Sequence, residues 1–531
     1  MARRQSFLSG AAVLSAAVAV TKVLGAFYKI PLGNLLGSGG MAHFYAAYNV
    51  FNVLVMACAG MPAAISRTVS QYCALGQGER ARRAFLTGGG LLGLFGALGS
   101  AAMGLFAPQL AALVRDPAAA GPIRALAPAL LLMCLCSAVR GYTQGLGEMR
   151  STAVSQILES LGKLAVGLAL CRLALVRGRG LTRAVSGALW GVSAGGLGAL
   201  SYLLFRLGRV PRGESVCLPG AGEARRLMQA AVPITAGAAG MSVLTLLDQV
   251  LVLRTLQGAL GYDPLQAAAA YGEYTFGMTL FVLTPSLLVP LSAALMPCIA
   301  GALAAGRRQE AARHARGALR LALAAGMPLG VGLSALSGPI LAALYPARPE
   351  VVPAAARHLA VLGIASVPVG LCAVSAGILQ ACGRSRVPLA ALACGGAVKV
   401  LCDTVLAARP EIAVRGVSLG TLFCYTLACC LQLAAVERCC GGQEPLGALL
   451  WRPGLAAVCM ALGARSLHGL LAAHLPPLMA CGLAIAAAVP VYLILLLALG
   501  GITGAELRRY LPRKIRRKRH DTLSRKRTLY L

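Results

Sequence analysis

The stretch Gly141-Tyr142-Thr143-Gln144-Gly145-Leu146-Gly147-Glu148-Met149-Arg150 lies between two apolar runs. It returns about 236 residues later as Gly377-Ile378-Leu379-Gln380-Ala381-Cys382-Gly383-Arg384-Ser385-Arg386. One offset superposes Gly141 on Gly377, Gln144 on Gln380, Gly147 on Gly383, Arg150 on Arg386 and, further along, Lys163 on Lys399. The basic stretches upstream match in kind: Gly78-Glu79-Arg80-Ala81-Arg82-Arg83 and Gly306-Arg307-Arg308-Gln309-Glu310. Such coincidence of polar and Gly positions in so apolar a chain marks an internal repeat. An even number of apolar runs separates the two copies, so the halves share one topology and form a parallel repeat. Transporters built this way hold their substrate at the junction of the halves and rock them against each other.

The runs around the repeat set the fold class. Of 531 residues, 58% are hydrophobic and 12% charged, against about 25% charged in a soluble protein. Mean hydropathy is +0.75. These values exclude a disordered chain and argue against a soluble enzyme. About fourteen runs are long enough to cross a bilayer as helices, near 7–30, 41–65, 84–107, 123–146, 151–175, 184–206, 228–255, 266–296, 317–344, 355–380, 386–408, 414–436, 447–471 and 477–500. The expectation is an all-α polytopic membrane protein with two parallel six-helix lobes and two extra helices at the C-terminus. The lobes would span 1–206 and 228–437, joined by a cytoplasmic linker at 207–227. The added helices would occupy 438–505 and a basic tail 506–531. A short joint at Pro31-Leu32-Gly33-Asn34 is expected between the first two spans.

Charge sets the orientation. Lys and Arg total 49 against 17 Asp and Glu, a formal net charge of +32. Counted over alternate loops, about 33 bases, Arg140 among them, fall on one side and about 12 on the other. The richer side is cytoplasmic by the positive-inside rule. Both termini are therefore expected in the cytoplasm, in a plasma-membrane protein. One loop breaks the rule: Arg172, Arg177, Arg179 and Arg183 fall on the poorer, outer side. The tail, Lys514-Ile515-Arg516-Arg517-Lys518-Arg519 and then Arg525-Lys526-Arg527, suits anionic inner-leaflet lipid or a plain topology anchor. Nucleic acid is not an expected partner, and a monomer is. The 18 cysteines are scattered through apolar runs without a C-x-x-C pair and the six histidines stand apart. No metal site and no cofactor is expected. No phosphate-binding G-x-x-x-x-G-K-[ST] loop occurs, Leu161-Gly162-Lys163-Leu164 being the nearest approach.

Ionisable residues inside spans are costly and usually face a partner or a wet cavity. Lys22 and Lys29 share a face of the first span, seven residues apart, with no acid beside them. They would bind an anionic ligand, or pair with Asp248 or Glu273 across the junction of the halves. Glu159 with Lys163, and Lys399 with Asp403, are spaced i,i+4 at equivalent repeat positions and suit internal ion pairs. Arg254, near the end of the seventh span, suits a cavity or an interfacial role. Asp248 and Glu273 are candidate cavity acids or coupling groups.

Several stretches together resemble the polysaccharide-biosynthesis flippases of the MOP exporter superfamily, in particular the stage V sporulation protein B-like and MurJ-like lipid II flippases. They are Ser6-Phe7-Leu8-Ser9-Gly10, Lys22-Val23-Leu24-Gly25-Ala26-Phe27-Tyr28-Lys29-Ile30-Pro31, Gly60-Met61-Pro62-Ala63-Ala64-Ile65-Ser66, Arg140-Gly141-Tyr142-Thr143-Gln144-Gly145 and Asp248-Gln249-Val250-Leu251-Val252. The resemblance implies translocation of undecaprenyl-pyrophosphate-linked sugars, such as a lipid II-like peptidoglycan precursor, from the inner to the outer leaflet. It implies roles in cell-wall synthesis or sporulation, with Lys22 at a cationic cavity position. The arginine that the family's lipid II flippases carry in the second span has no counterpart between Asn49 and Cys58. Two other readings stand beside it: a cation-coupled multidrug exporter of the MATE type, and a membrane scaffold that recruits envelope enzymes through its basic tail. A basic first span suits anionic cargo better than cationic drugs.

Overall fold

The computed structural model describes residues 7–208, 221–406, 409, 415–440 and 446–501. The N-terminal half comprises α1 (Phe7–Met56), α2 (Gly60–Ala74), α3 (Gly78–Leu105), the short α4 (Ala107–Leu113), α5 (Ala120–Gly145), α6 (Met149–Val176) and α7 (Leu181–Gly208). The C-terminal half comprises α8 (Ala221–Gly258), α9 (Pro264–Phe281), α10 (Leu283–Ala304), α11 (Arg308–Ala335), the short α12 (Ser337–Leu344), α13 (Val352–Ala381), α14 (Arg386–Val405) and α15 (Arg415–Cys440). α16 (Leu446–Leu471) and α17 (Pro477–Ala498) follow. The expected spans fall on these helices, apart from residues 407, 408 and 414, which lie outside the described residues. Ten helical stretches among the described residues, rather than fourteen, are long and apolar enough to cross a bilayer. The first of them, Val20–Ala74, joins most of α1 to α2. The last residues of the expected linker, 221–227, form the first turns of α8. The basic tail lies outside the described residues.

The repeat is visible in packing. α3 lies on α5, α5 on α7 and α6 on α7; likewise α11 lies on α13, α13 on α15 and α14 on α15. The repeated Gly147 and Gly383 both adopt the left-handed region, at φ 82° and 75°. In the first copy Glu148 N donates to Thr143 O and Gly147 N to Gln144 O, each at 2.9 Å. In the second, Arg384 N donates to Leu379 O at 2.8 Å and Gly383 N to Gln380 O at 3.0 Å. This is the Schellman stop, which needs a residue without a Cβ penalty and turns the chain into the next antiparallel helix. The repeated glycine is therefore a requirement of the turn.

α1 breaks at Gly37 (φ 68°, ψ −171°), not at the expected joint around Pro31, which stays inside the helix. The carbonyls freed at the break are met by the other half. Arg348, between α12 and α13, donates to Asn34 O at 3.1 Å and to Leu35 O at 2.9 Å. A guanidinium there satisfies helix-terminal carbonyls and the negative end of the helix dipole together. Asn34 completes the contact, donating to Leu344 O at 2.8 Å and accepting from Ala347 N at 3.2 Å.

The halves meet where α1 packs on α9 and α2 on α8. At the end near Gly37, a Cβ on Gly272 of α9 would stand 2.0 Å from Ser38 O. At the opposite end, which carries the basic α2–α3 turn, a Cβ on Gly60 would stand 2.2 Å from Ala231 O of α8. There Tyr72 donates to Glu223 Oε1 at 2.5 Å and Arg226 donates to Tyr72 OH at 2.9 Å. The seam is thus fastened at both ends. α16 and α17 pair with each other and rest on α11 and α12, at the flank of the C-terminal half.

Candidate functional site

α1 presents three faces before its break. Tyr28 packs inward and donates to Ala188 O of α7 at 2.8 Å. Phe27, 62% exposed, leads an outward stripe with Val20 and Val23. Lys22 and Lys29 lie within about 20° of each other on a third face, roughly 140° from Phe27 at 3.6 residues per turn. That face meets the seam: Lys29 Nζ donates to Tyr45 OH at 2.9 Å and lies 4.6 Å from the Tyr45 ring centroid. Tyr45 OH in turn lies 3.2 Å from Thr279 Oγ1 of α9. Lys22, two turns away on the same face, is exposed.

A third lysine joins from α6. Lys163 Nζ donates to Tyr48 OH at 3.4 Å and lies 5.3 Å from that ring's centroid. Tyr45 and Tyr48 flank Phe44, which stacks on Tyr48 at 5.6 Å. Phenol oxygens and ring faces hold an ammonium without cancelling its charge. Among the described residues no carboxylate oxygen lies within salt-bridge distance of Lys22, Lys29 or Lys163. One turn on from Tyr45, Asn49 donates to Gln249 Oε1 of α8 at 2.7 Å, both buried, tying the halves at mid-seam.

The ion pairs differ from the i,i+4 reading in one half and extend it in the other. Glu159 pairs with Arg140 of α5 at 2.9 Å, not with Lys163. Arg140, counted among the loop bases, is a buried helix residue that also donates to Ser155 Oγ at 2.9 Å. Its guanidinium offers several donors in one plane and takes both oxygens, which leaves Lys163 free to reach α1. In the C-terminal half Lys399 lies 3.4 Å from Asp403 and closer, 2.7 Å, to Asp248 of α8. Thr421 Oγ1 accepts from Lys399 at 2.9 Å and Val417 O at 3.4 Å. Asp248 therefore answers Lys399 of its own half rather than Lys22 or Lys29. Glu273, half-buried on α9, has no hydrogen bond or ion pair among the described residues. Arg254 is exposed one turn before the end of α8. The repeat positions Lys163 and Lys399 thus diverge, one held by a phenol and one by two carboxylates.

A profile described as polysaccharide biosynthesis protein matches residues 7–302. The chain belongs to that family. A second profile, MatE, matches residues 233–405. Stage V sporulation protein B of Bacillus subtilis (strain 168) is 25% identical over 444 residues, 82% of this chain and 84% of that protein. Lipid II flippase MurJ of the same organism is 24% identical over 423 residues, 75% and 77% of the two chains. A solved lipid II flippase MurJ in an inward closed conformation superposes with a TM-score of 0.67 at 13% identity, covering 91% of this chain and 97% of its own. An inward-facing MATE family multidrug transporter of the MOP superfamily superposes at 0.63 and 13% identity, over 81% and 97%. The family member is an all-α, multi-pass membrane protein of the MOP superfamily.

Sequence reasoning about this family member missed the tyrosines, Arg140, and the Asn34–Arg348 contact. Tyr45 and Tyr48 carried a signal, an i,i+3 phenol pair in a mostly apolar run. Buried His43, whose Nδ1 lies 2.7 Å from Asp116 Oδ2, carried none, because its partner is 73 residues away.

Proposed function

We propose that this protein translocates an undecaprenyl-pyrophosphate-linked oligosaccharide, of the lipid II class, from the inner to the outer leaflet. The relatives at about a quarter identity support a lipid-linked saccharide as cargo. The observation that carries the reading is the set of Lys22, Lys29 and Lys163, which have no carboxylate partner among the described residues, Lys29 and Lys163 held at the seam by phenols and Lys22 exposed on the same face of α1. A pyrophosphate needs compensating cations to leave bulk water. Lys22, exposed toward the basic end, receives it; Lys29 and Lys163 hold it farther along as the halves rock. The polyprenyl tail stays in lipid. Transport, not catalysis, is the activity, and no cofactor takes part. Both termini lie in the cytoplasm, the basic tail rests on anionic lipid, and the protein acts as a monomer.

Asp248, Lys399 and Asp403 brace the C-terminal half, and Glu273 is the seam acid left for coupling. Arg254 lies at the lipid interface rather than in the path. The test is a flipping or complementation assay of Lys22→Ala and Lys22→Glu at matched protein level. Lys22→Glu is expected to abolish activity and Lys22→Ala to reduce it at least tenfold. Full activity of Lys22→Glu would remove this lysine from the mechanism. Accumulation of lipid-linked intermediates on depletion reports cargo and direction together. The pair of acids around Lys399, Asp248 and Asp403, within the MatE match, favours one rival, a cation-coupled drug exporter. Drug resistance on expression without any envelope effect would decide for it.

A further inference from the structure

The four arginines that break the orientation rule have no place in the translocation scheme. They sit where α6 ends and α7 begins, at the Gly37 end of the molecule. There a groove between the two helices is rimmed by Arg177, Arg179 and Arg183 and floored by Leu170, Leu173 and Trp190. The floor is shallow because the backbones touch: a Cβ on Gly187 would stand 3.0 Å from the Leu170 carbonyl. All three rim arginines are exposed, and none of their side chains has a hydrogen bond or ion pair among the described residues. The first turn of α7 supplies no acid. Trp190, 46% exposed, lies two turns along α7 from Arg183, about 10 Å deeper into the membrane at 1.5 Å per residue.

We propose that this groove is a binding site for a resident anionic phospholipid in the leaflet at this end, which the loop charge count assigns to the outside. The phosphodiester seats on the guanidinium fork of the three arginines, a geometry suited to paired hydrogen bonds with phosphate oxygens. One acyl chain runs along Leu170, Leu173 and Trp190, and the indole sits at the depth of the interfacial aromatic belt. A zwitterionic headgroup fits less well, because its own cation meets three unpaired arginines. Phosphatidylglycerol, with no such cation, suits the rim. The bases then serve as a lipid anchor, which explains their place on the side that the positive-inside rule leaves poor.

The chain has two tryptophans, so Trp451→Phe leaves Trp190 as the sole tryptophan, excited selectively at the red edge of protein absorption. The full-length Trp451→Phe protein is reconstituted in phosphatidylcholine vesicles. Equal fractions of acyl-brominated phosphatidylglycerol or acyl-brominated phosphatidylcholine are then introduced. Trp190 should be quenched by phosphatidylglycerol with a relative affinity at least about fivefold higher, the factor that one base contributes near an anionic surface. Arg177→Gln/Arg179→Gln/Arg183→Gln should bring the ratio to about one with phosphatidylcholine quenching unchanged. A ratio near one in the Trp451→Phe protein, or an undiminished ratio in the triple variant, overturns the proposal. So does loss of the preference in sodium phosphate but not in sodium chloride of equal ionic strength, which would assign the arginines to soluble phosphate. Loss on adding undecaprenyl pyrophosphate at trace fraction would assign them to the transported lipid instead. If the triple variant fails to reconstitute, the two-lipid comparison decides alone.

Discussion

Lys399 is enclosed by oxygen: Asp248 at 2.7 Å, Asp403 at 3.4 Å and Thr421 at 2.9 Å. Removing the ammonium would leave the two acidic side chains facing each other in a buried site without their cation. Breaking a buried pair by deleting one partner costs about 3–5 kcal/mol. Lys399→Met should therefore unfold at a clearly lower temperature in detergent, and Lys399→Met/Asp248→Asn should recover part of the loss. Equal unfolding temperatures for Lys399→Met and the parent would show that the cluster is not a brace. Lys163, at the equivalent repeat position, makes a phenol contact at 3.4 Å, so Lys163→Met should cost little stability and should reduce transport. The pair thus separates a structural lysine from a functional one by opposite readouts. The sequence placed both lysines on equal footing, since each has an acid four residues away. What separates them is Arg140, which takes Glu159 from the neighbouring helix, and no local pattern could reveal that exchange.

At the scale of elements, the seam depends on helices approaching until their backbones touch. A Cβ on Gly272 would stand 2.0 Å from Ser38 O, and on Gly60 2.2 Å from Ala231 O. Neither obstacle is a flexible side-chain tip, so the helices themselves must separate. Overpacking of this kind costs typically about 1–3 kcal/mol. Gly272→Ala should speed hydrogen exchange in residues 30–38 and leave 221–230 unchanged; Gly60→Ala should do the reverse. Uniform acceleration in either variant would mean that the two contacts are not separate fastenings. The Schellman glycines were legible as a repeated Gly because the turn demands that residue wherever it occurs. The break in α1 was misplaced for the opposite reason. Pro31 carries the stronger local signal, but Gly37 has Arg348 to receive its open carbonyls, and that partner lies over 300 residues away.

For the whole molecule, the proposed rocking requires the two fastenings to open in turn. Arg348 holds one end through two backbone carbonyls, and Tyr72, Glu223 and Arg226 hold the other. Hydrogen bonds to charged groups are worth about 1.5–3 kcal/mol each, and 1.4 kcal/mol is a factor of ten in population. Arg348→Ala should thus raise the open population at its end tenfold or more, read as faster exchange in 344–352 and 30–38. Glu223→Gln should favour opening at the basic end. Both should slow net flipping, because each biases a cycle that needs both states. A faster flipping rate in either variant would contradict that assignment. The helical, two-lobed plan was legible throughout, since apolar runs and a repeat survive averaging over single residues. The mid-seam tie, Asn49 to Gln249, was not, because two neutral amides in different halves leave no charge or spacing signature.

The double fastening of the seam has one further consequence. In the proposed cycle, a passage shut above and below at the same moment has an intermediate stage with no open water column from one compartment to the other. The bilayer's voltage and proton gradient can then outlast each turnover, and a bulky hydrophilic load can cross without the cell leaking small ions around it.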